Sequence, residues 1–114
     1  YIEDKQVYEE WKKAMEEMEK HYIEMKKLGA STDMCRLVLP HSTAAEVTMT
    51  ADVREWKHIL ELRTSNRAHP AIRQLLIPLL KYFQKEMPEI FDNIEYDKDF
   101  KEEWYAKLSF LPEV

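Results

Sequence analysis

From Val7 to Leu28 apolar residues recur at three- and four-residue steps, through Trp11, Met15, Met18, Tyr22 and Met25. That spacing places them on one face of a single helix. The opposite face is lysine and glutamate, with Glu9 and Lys13, and Glu16 and Lys20, four apart in the order that supports a helix. Gly29 predicts its C-terminal cap. At about 1.5 Å per residue such a helix is roughly 35 Å long, more than a small bundle needs. Its apolar face is therefore expected to pack on other chains or on parts of the protein outside these residues.

The pattern then changes. "CRLVLPHSTAAEVTMT", Cys35 to Thr50, carries β-branched and small residues around Pro40 and predicts extended chain or an edge strand. Helical spacing returns after Asp52, a cap for a helix over Arg54 to Thr64, and "TSNRAH" closes that helix before Pro70 opens the next. The next helix, Ala71 to Met87, is apolar nearly all round (Ile72, Leu75, Leu76, Ile77, Leu79, Leu80, Tyr82, Phe83) and is the expected centre of the core, with a kink at Pro78. "MPEIFDNIEYDKD" reads as breaker and loop, and "FKEEWYAKLSFL" as a short amphipathic tail helix. The expected fold class is α+β and predominantly α-helical: a long amphipathic helix, a short extended or edge-strand segment and two further helices, forming part of a larger mixed α/β domain. No internal repeat or low-complexity segment interrupts it.

Composition narrows the partners. With 114 residues, 45% hydrophobic, and a net charge of −5, the chain is an acidic, helix-rich globular unit. The acidic balance opposes nucleic-acid binding by the surface as a whole, although clustered arginines could hold one small phosphorylated ligand. One cysteine, Cys35, and four scattered histidines give neither an internal disulfide nor a zinc spacing, and the simplest setting is a reducing cytoplasm. No apolar run reaches the length of a membrane span. The sequence opens at Tyr1 on a helical pattern and without methionine, which predicts an upstream portion.

Candidate chemistry rests on arginine. In "REWKHILELR" a helical projection puts Trp56, Ile59, Leu60, Leu62 and Arg63 on one arc, and Arg54, Lys57, His58 and Glu61 on the other. Arg63 thus stands where leucine belongs, and it cannot lose its proton to escape burial. It is either a structural residue, paired with a carboxylate such as Asp52 or snorkelling out at the helix end, or a bidentate donor aimed into a ligand pocket. Arg54 and His58, four apart, could grip one anion or simply form a solvated face. Arg36 sits beside apolar "LVLP", with ion pairing as its plain explanation. Cys35 reads as core, the methionine stripe as packing, and one glycine excludes a Gly-rich phosphate loop.

Taken together, "CRLVLP", "DVREWKHILELR" and the apolar helix that follows resemble the C-terminal half of the flavin-dependent thymidylate synthases, from the first helix to about Pro88. The resemblance implies residues 1–114 to be the C-terminal portion of a single such domain. It implies reductive methylation of dUMP to dTMP with methylenetetrahydrofolate as carbon donor, FAD as cofactor and NADPH as reductant, in a cytoplasmic homotetramer with shared active sites. By the same resemblance Arg36 and Arg63 contact dUMP, Arg63 being catalytic, and Asp52, Val53, Arg54 and His58 hold FAD; no metal is implied. The chain departs from the family at Asp52, where asparagine is common, and at His69 and Ala71, where glutamine and glutamate are frequent. The upstream Arg-His-Arg signature has no counterpart in these residues, and the chain by itself is expected to be inactive. The alternative is a non-catalytic helical interaction module or degenerate relative.

Overall fold

The structure, a computed structural model, describes residues 1–109. It divides into two compact units, one of residues Ile2–Thr48 and one formed by Tyr1 with the residues from Met49 onward.

In the first unit, helix α1 spans Lys5–Lys27. Asp4 starts it by accepting from the Gln6 and Val7 N–H groups at 2.8 and 3.1 Å. At the other end the Gly29 N–H reaches the Lys26 carbonyl and the Ala30 N–H reaches the Met25 carbonyl. This double closure needs a left-handed residue, and Gly29 has φ +85°. Lys26 and Lys27 complement the negative end of the helix. Lys13 pairs with Glu10 at 2.8 Å rather than with the expected Glu9, and both side chains are too exposed to add much stability. No residue of α1 is buried within the unit. Part of its apolar face, Trp11, Met15, Met18 and Tyr22, forms with Leu39, Pro40 and Thr43 a groove of about 330 Å³.

Of the extended chain or edge strand expected after Cys35, the strand is not present, and no strand occurs among the described residues. Ser31 caps helix α2, Thr32–Arg36, by accepting from the Met34 N–H, so the first residues of the "strand" are helical. Turns follow, closed by Val38 on Cys35, Leu39 on Arg36 and Thr43 on Pro40. A strand needs a partner ladder, and residues 41–50 instead lie exposed, with 44–50 in neither helix, strand nor turn. Cys35 is fully buried and its thiol donates to the Ala30 carbonyl, in keeping with a core residue.

The second unit is built on two helices and a sewn-down C-terminal segment. Helix α3 spans Val53–Arg63 and helix α4 Pro70–Glu86, each within a residue or so of expectation. A short helix, α5, covers Pro88–Phe91. Leu60, Leu80, Phe91 and Ile94 form the core, with Trp56, Leu76, Phe83 and Tyr96 packed around it. α4 is central, as its pattern predicts, although Leu75 is 44% exposed. "MPEIFDNIEYDKD" is more than a loop: it holds α5, and its Phe91 and Ile94 are both buried.

The expected tail helix is reduced to one 3₁₀ turn, Glu102–Trp104, flanked by Lys101 and Tyr105 in extended backbone; Phe110 and Leu111 lie outside the described residues. A lone helix of about a dozen residues is marginal in water, and here tertiary bonds compete for its backbone. Pro78 has no N–H, which frees the Gln74 carbonyl within α4. The Ala106 N–H takes that carbonyl at 2.9 Å. The Gln84 amide donates to the Phe91 and Ile94 carbonyls at 3.2 and 2.9 Å, and Lys81 pairs with Glu102 at 2.6 Å.

The Lys81–Glu102 pair makes the tail's attachment pH-dependent. Its hydrogen bond holds the Glu102 carboxyl below the ordinary 4.5 and raises the Lys81 ammonium above the ordinary 10.5. The pair's contribution is therefore complete between those ordinary values. It is lost as pH falls through the lowered Glu102 value or rises through the raised Lys81 value. Thermal unfolding of wild type and Glu102→Gln should differ by a small constant amount at neutral pH and converge on the acid side. A difference that grows in acid would contradict this.

Candidate functional site

α3 carries four of the six residues singled out above, and a fifth, Asp52, is its N-cap. Its N-terminus is set by Asp52, whose carboxylate accepts from the Glu55 N–H at 2.8 Å while its carbonyl receives the Trp56 N–H. This cap leaves the Val53 and Arg54 N–H groups without an intrahelical acceptor. Arg54 and His58, one turn apart, are both exposed.

Arg63 ends the helix, and its position corrects the projection. It is exposed, and so is Leu62 at 52%. The inward row instead runs Trp56, Leu60, Thr64 in steps of four, with Leu60 and Thr64 fully buried. Arg63 lies near that row but at the last turn, where its long stem carries the guanidinium to water. The proposed pairing with Asp52 does not form, since that carboxylate is spent on the cap. Among the described residues no side-chain hydrogen bond or ion pair engages Arg54, His58 or Arg63. Each keeps its donors free for a ligand.

Arg36 belongs to the first unit, at the end of α2. It too is exposed, and its only ion pair among the described residues is a loose one to Asp33 at 3.9 Å, one turn back on the same helix. An exposed pair at that distance restrains the side chain little.

The charge that is buried lies elsewhere. Arg73 of α4 pairs with Asp97, their side chains 14% and 8% exposed. The Arg73 guanidinium lies 4.9 Å from the centre of the Phe100 ring, and its Nε has no hydrogen-bond partner among the described residues. Sequence reasoning missed this pair. Its one visible signal was a charged residue inside the most apolar helix, which asks for a partner.

No group of three or more metal-ligating side chains occurs among the described residues, and no described helix is long and apolar enough to cross a membrane.

Fold and site together define a helical protein that displays unpaired arginines and a histidine on one helix capped at its N-terminus. Residues 1–89 match the family described as thymidylate synthase complementing protein. A protein of Pyrococcus abyssi named flavin-dependent thymidylate synthase is 37% identical over 82 residues, which are 72% of this chain and 34% of that protein. Proteins of the same name from Thermococcus onnurineus and Corynebacterium aurimucosum are 36% identical over 75 residues and 30% identical over 88. These stretches cover 66% and 76% of this chain, and 31% and 35% of the two proteins. No solved structure matches. The chain belongs to the thymidylate synthase complementing protein family, and it spans about a third of the length of the curated relatives it matches.

The cap gives a local prediction. Asp52→Ala removes the acceptor of the Glu55 N–H and should destabilise the second unit by about 1 kcal/mol, whereas Asp52→Asn, still an acceptor, should cost little. Urea unfolding of the three proteins checks this; equal losses in both variants would mean that the carboxylate acts through its charge.

Proposed function

We propose that residues 1–114 are the C-terminal portion of a flavin-dependent thymidylate synthase domain, which converts dUMP to dTMP using methylenetetrahydrofolate, FAD and NADPH. The observation that carries this reading is Arg63: a permanently charged, unpaired guanidinium at a fixed helix end, inside the stretch that matches the family.

In this reading Arg36 and Arg63 contact dUMP. Arg63 faces the uracil ring and stabilises negative charge at N3, which makes C5 a better nucleophile toward the methylene carbon. Such stabilisation is strongest in a site closed to water. Arg63 is exposed in this chain, so the remaining parts of the domain and neighbouring subunits complete and dry the site. This supports a homotetramer with shared active sites, and so does the uncovered apolar face of α1, where Val7, Trp11 and Met18 are 56%, 39% and 37% exposed. The chain by itself is accordingly inactive, and the setting is cytoplasmic.

The residues at the start of α3 fit a flavin nucleotide. Free N–H groups at a helix N-terminus, with Arg54 and His58 beside them, are suited to a diphosphate. Val53 and Asp52 contribute backbone contacts, and the Asp52 carboxylate, kept on the Glu55 N–H, accepts but cannot donate. When bound, FAD reduced by NADPH supplies the hydride that completes the methyl group. The chain's own part is to hold the two ligands and to place the Arg63 charge against the pyrimidine.

Replacing Arg63 by alanine in the complete protein should reduce dTMP formation by at least about a hundredfold, the scale of losing one preorganised electrostatic donor, while unfolding midpoint and flavin content stay near wild type. Wild-type turnover in the Arg63→Ala protein would overturn the role assigned to it.

A further inference from the structure

The last residue of a helix is poorly held unless something donates to its terminal carbonyls, because the final four have no intrahelical donor. Arg63 occupies that place in α3, yet the backbone around it is locked. The Thr64 hydroxyl donates to the Leu60 carbonyl at 2.7 Å, and both residues are fully buried. The Thr64 carbonyl receives the Asp97 N–H at 2.8 Å. Asp97 is held in turn by Arg73, and its other carboxylate oxygen accepts from the Asp99 N–H at 3.1 Å. Arg73 sits in the first turn of α4, braced against Phe100. A chain of contacts thus runs from α4 through Asp97 to the peptide that follows Arg63. Asp97 lies beyond residues 1–89, the part that matches the family.

We infer that Asp97 is a positioning residue for Arg63: paired with Arg73, it clamps the C-terminal end of α3 and fixes the point from which the Arg63 guanidinium projects. The inference rests on the reading of Arg63 given above. The carboxylate is the essential part, because the backbone N–H that reaches Thr64 is present in any variant and depends on the ion pair to stay in register. Asp97→Asn keeps size and the bond to the Asp99 N–H but leaves Arg73 facing a neutral amide. The end of α3 then gains freedom while its start, capped by Asp52, does not.

The test uses the complete, flavin-loaded protein and compares Asp97→Asn, Arg63→Ala, the double variant and Phe83→Leu, a change against the core in α4, ten residues along the helix from Arg73. Asp97→Asn should lower kcat per bound flavin by about ten- to a hundredfold, the scale of a small misplacement of a catalytic group. It should speed amide exchange at Thr64 but not at Trp56, and it should cost nothing further in the Arg63→Ala background, because the two residues act through one group. Should Asp97→Asn fail to fold, Arg73→Lys, which keeps a cation but changes its reach, should show the same pattern in weaker form. Additive losses, or an equal kcat loss in Phe83→Leu at matched stability, would reduce Asp97 to a structural residue and overturn the inference. Normal turnover in Asp97→Asn with a crippled Arg63→Ala overturns this inference alone, whereas normal turnover in Arg63→Ala overturns the reading of Arg63 and the inference with it.

Discussion

A single buried ion pair, Arg73 with Asp97, decides where the C-terminal segment of the second unit lies. Burying two charges is costly, and such a pair adds little net stability over apolar packing; breaking it by removing one partner costs about 3–5 kcal/mol. Its effect is therefore to select one arrangement over its neighbours. Once Asp97 is fixed, its N–H falls on the Thr64 carbonyl and the rest of the segment follows. Phe100 comes to rest against the Arg73 guanidinium, and the Ala106 N–H finds the carbonyl that Pro78 leaves open. The proline in α4 is thus both a break in one hydrogen-bond ladder and the acceptor site of another contact.

The helices were legible because their signals agree at several levels. α1, α3 and α4 each combine 3.6-residue spacing with an end signal: Gly29, Asp52 and Pro70. The segment after Cys35 misled because β-branched composition reports a fit to a pleated surface, and no second strand among the described residues offers one. Ser31, a capping residue, carried the better information. The tail misled for the opposite reason, since its amphipathic pattern was real but α4 holds it in another path, by the Gln74 carbonyl on the Ala106 N–H and by Lys81 on Glu102.

The candidate site was legible in part. Projection on a helical wheel grouped Arg63 with the inward residues because it counts angles and ignores the length of a side chain at the last turn. Arg63 is exposed at the helix end and is not paired with Asp52, whose carboxylate caps the helix. Arg54 and His58 were correctly read as one exposed face, and Arg36 as an arginine with a carboxylate neighbour, although Asp33 holds it only loosely. The Arg73–Asp97 pair joins residues 24 apart with no periodicity between them, and nothing short of the fold could bring it to view.

The chain supplies a rigid helix with free cationic donors, and the function proposed for it needs a nucleotide and a flavin to meet on that helix. The most direct measurement is the visible absorption spectrum of the complete gene product purified with FAD, followed through addition of NADPH with and without dUMP. A bound flavin whose reduction responds to dUMP is the predicted result, because one helix then serves both ligands. A colourless protein indifferent to NADPH and dUMP would contradict the proposed site and leave a helical interaction module in its place.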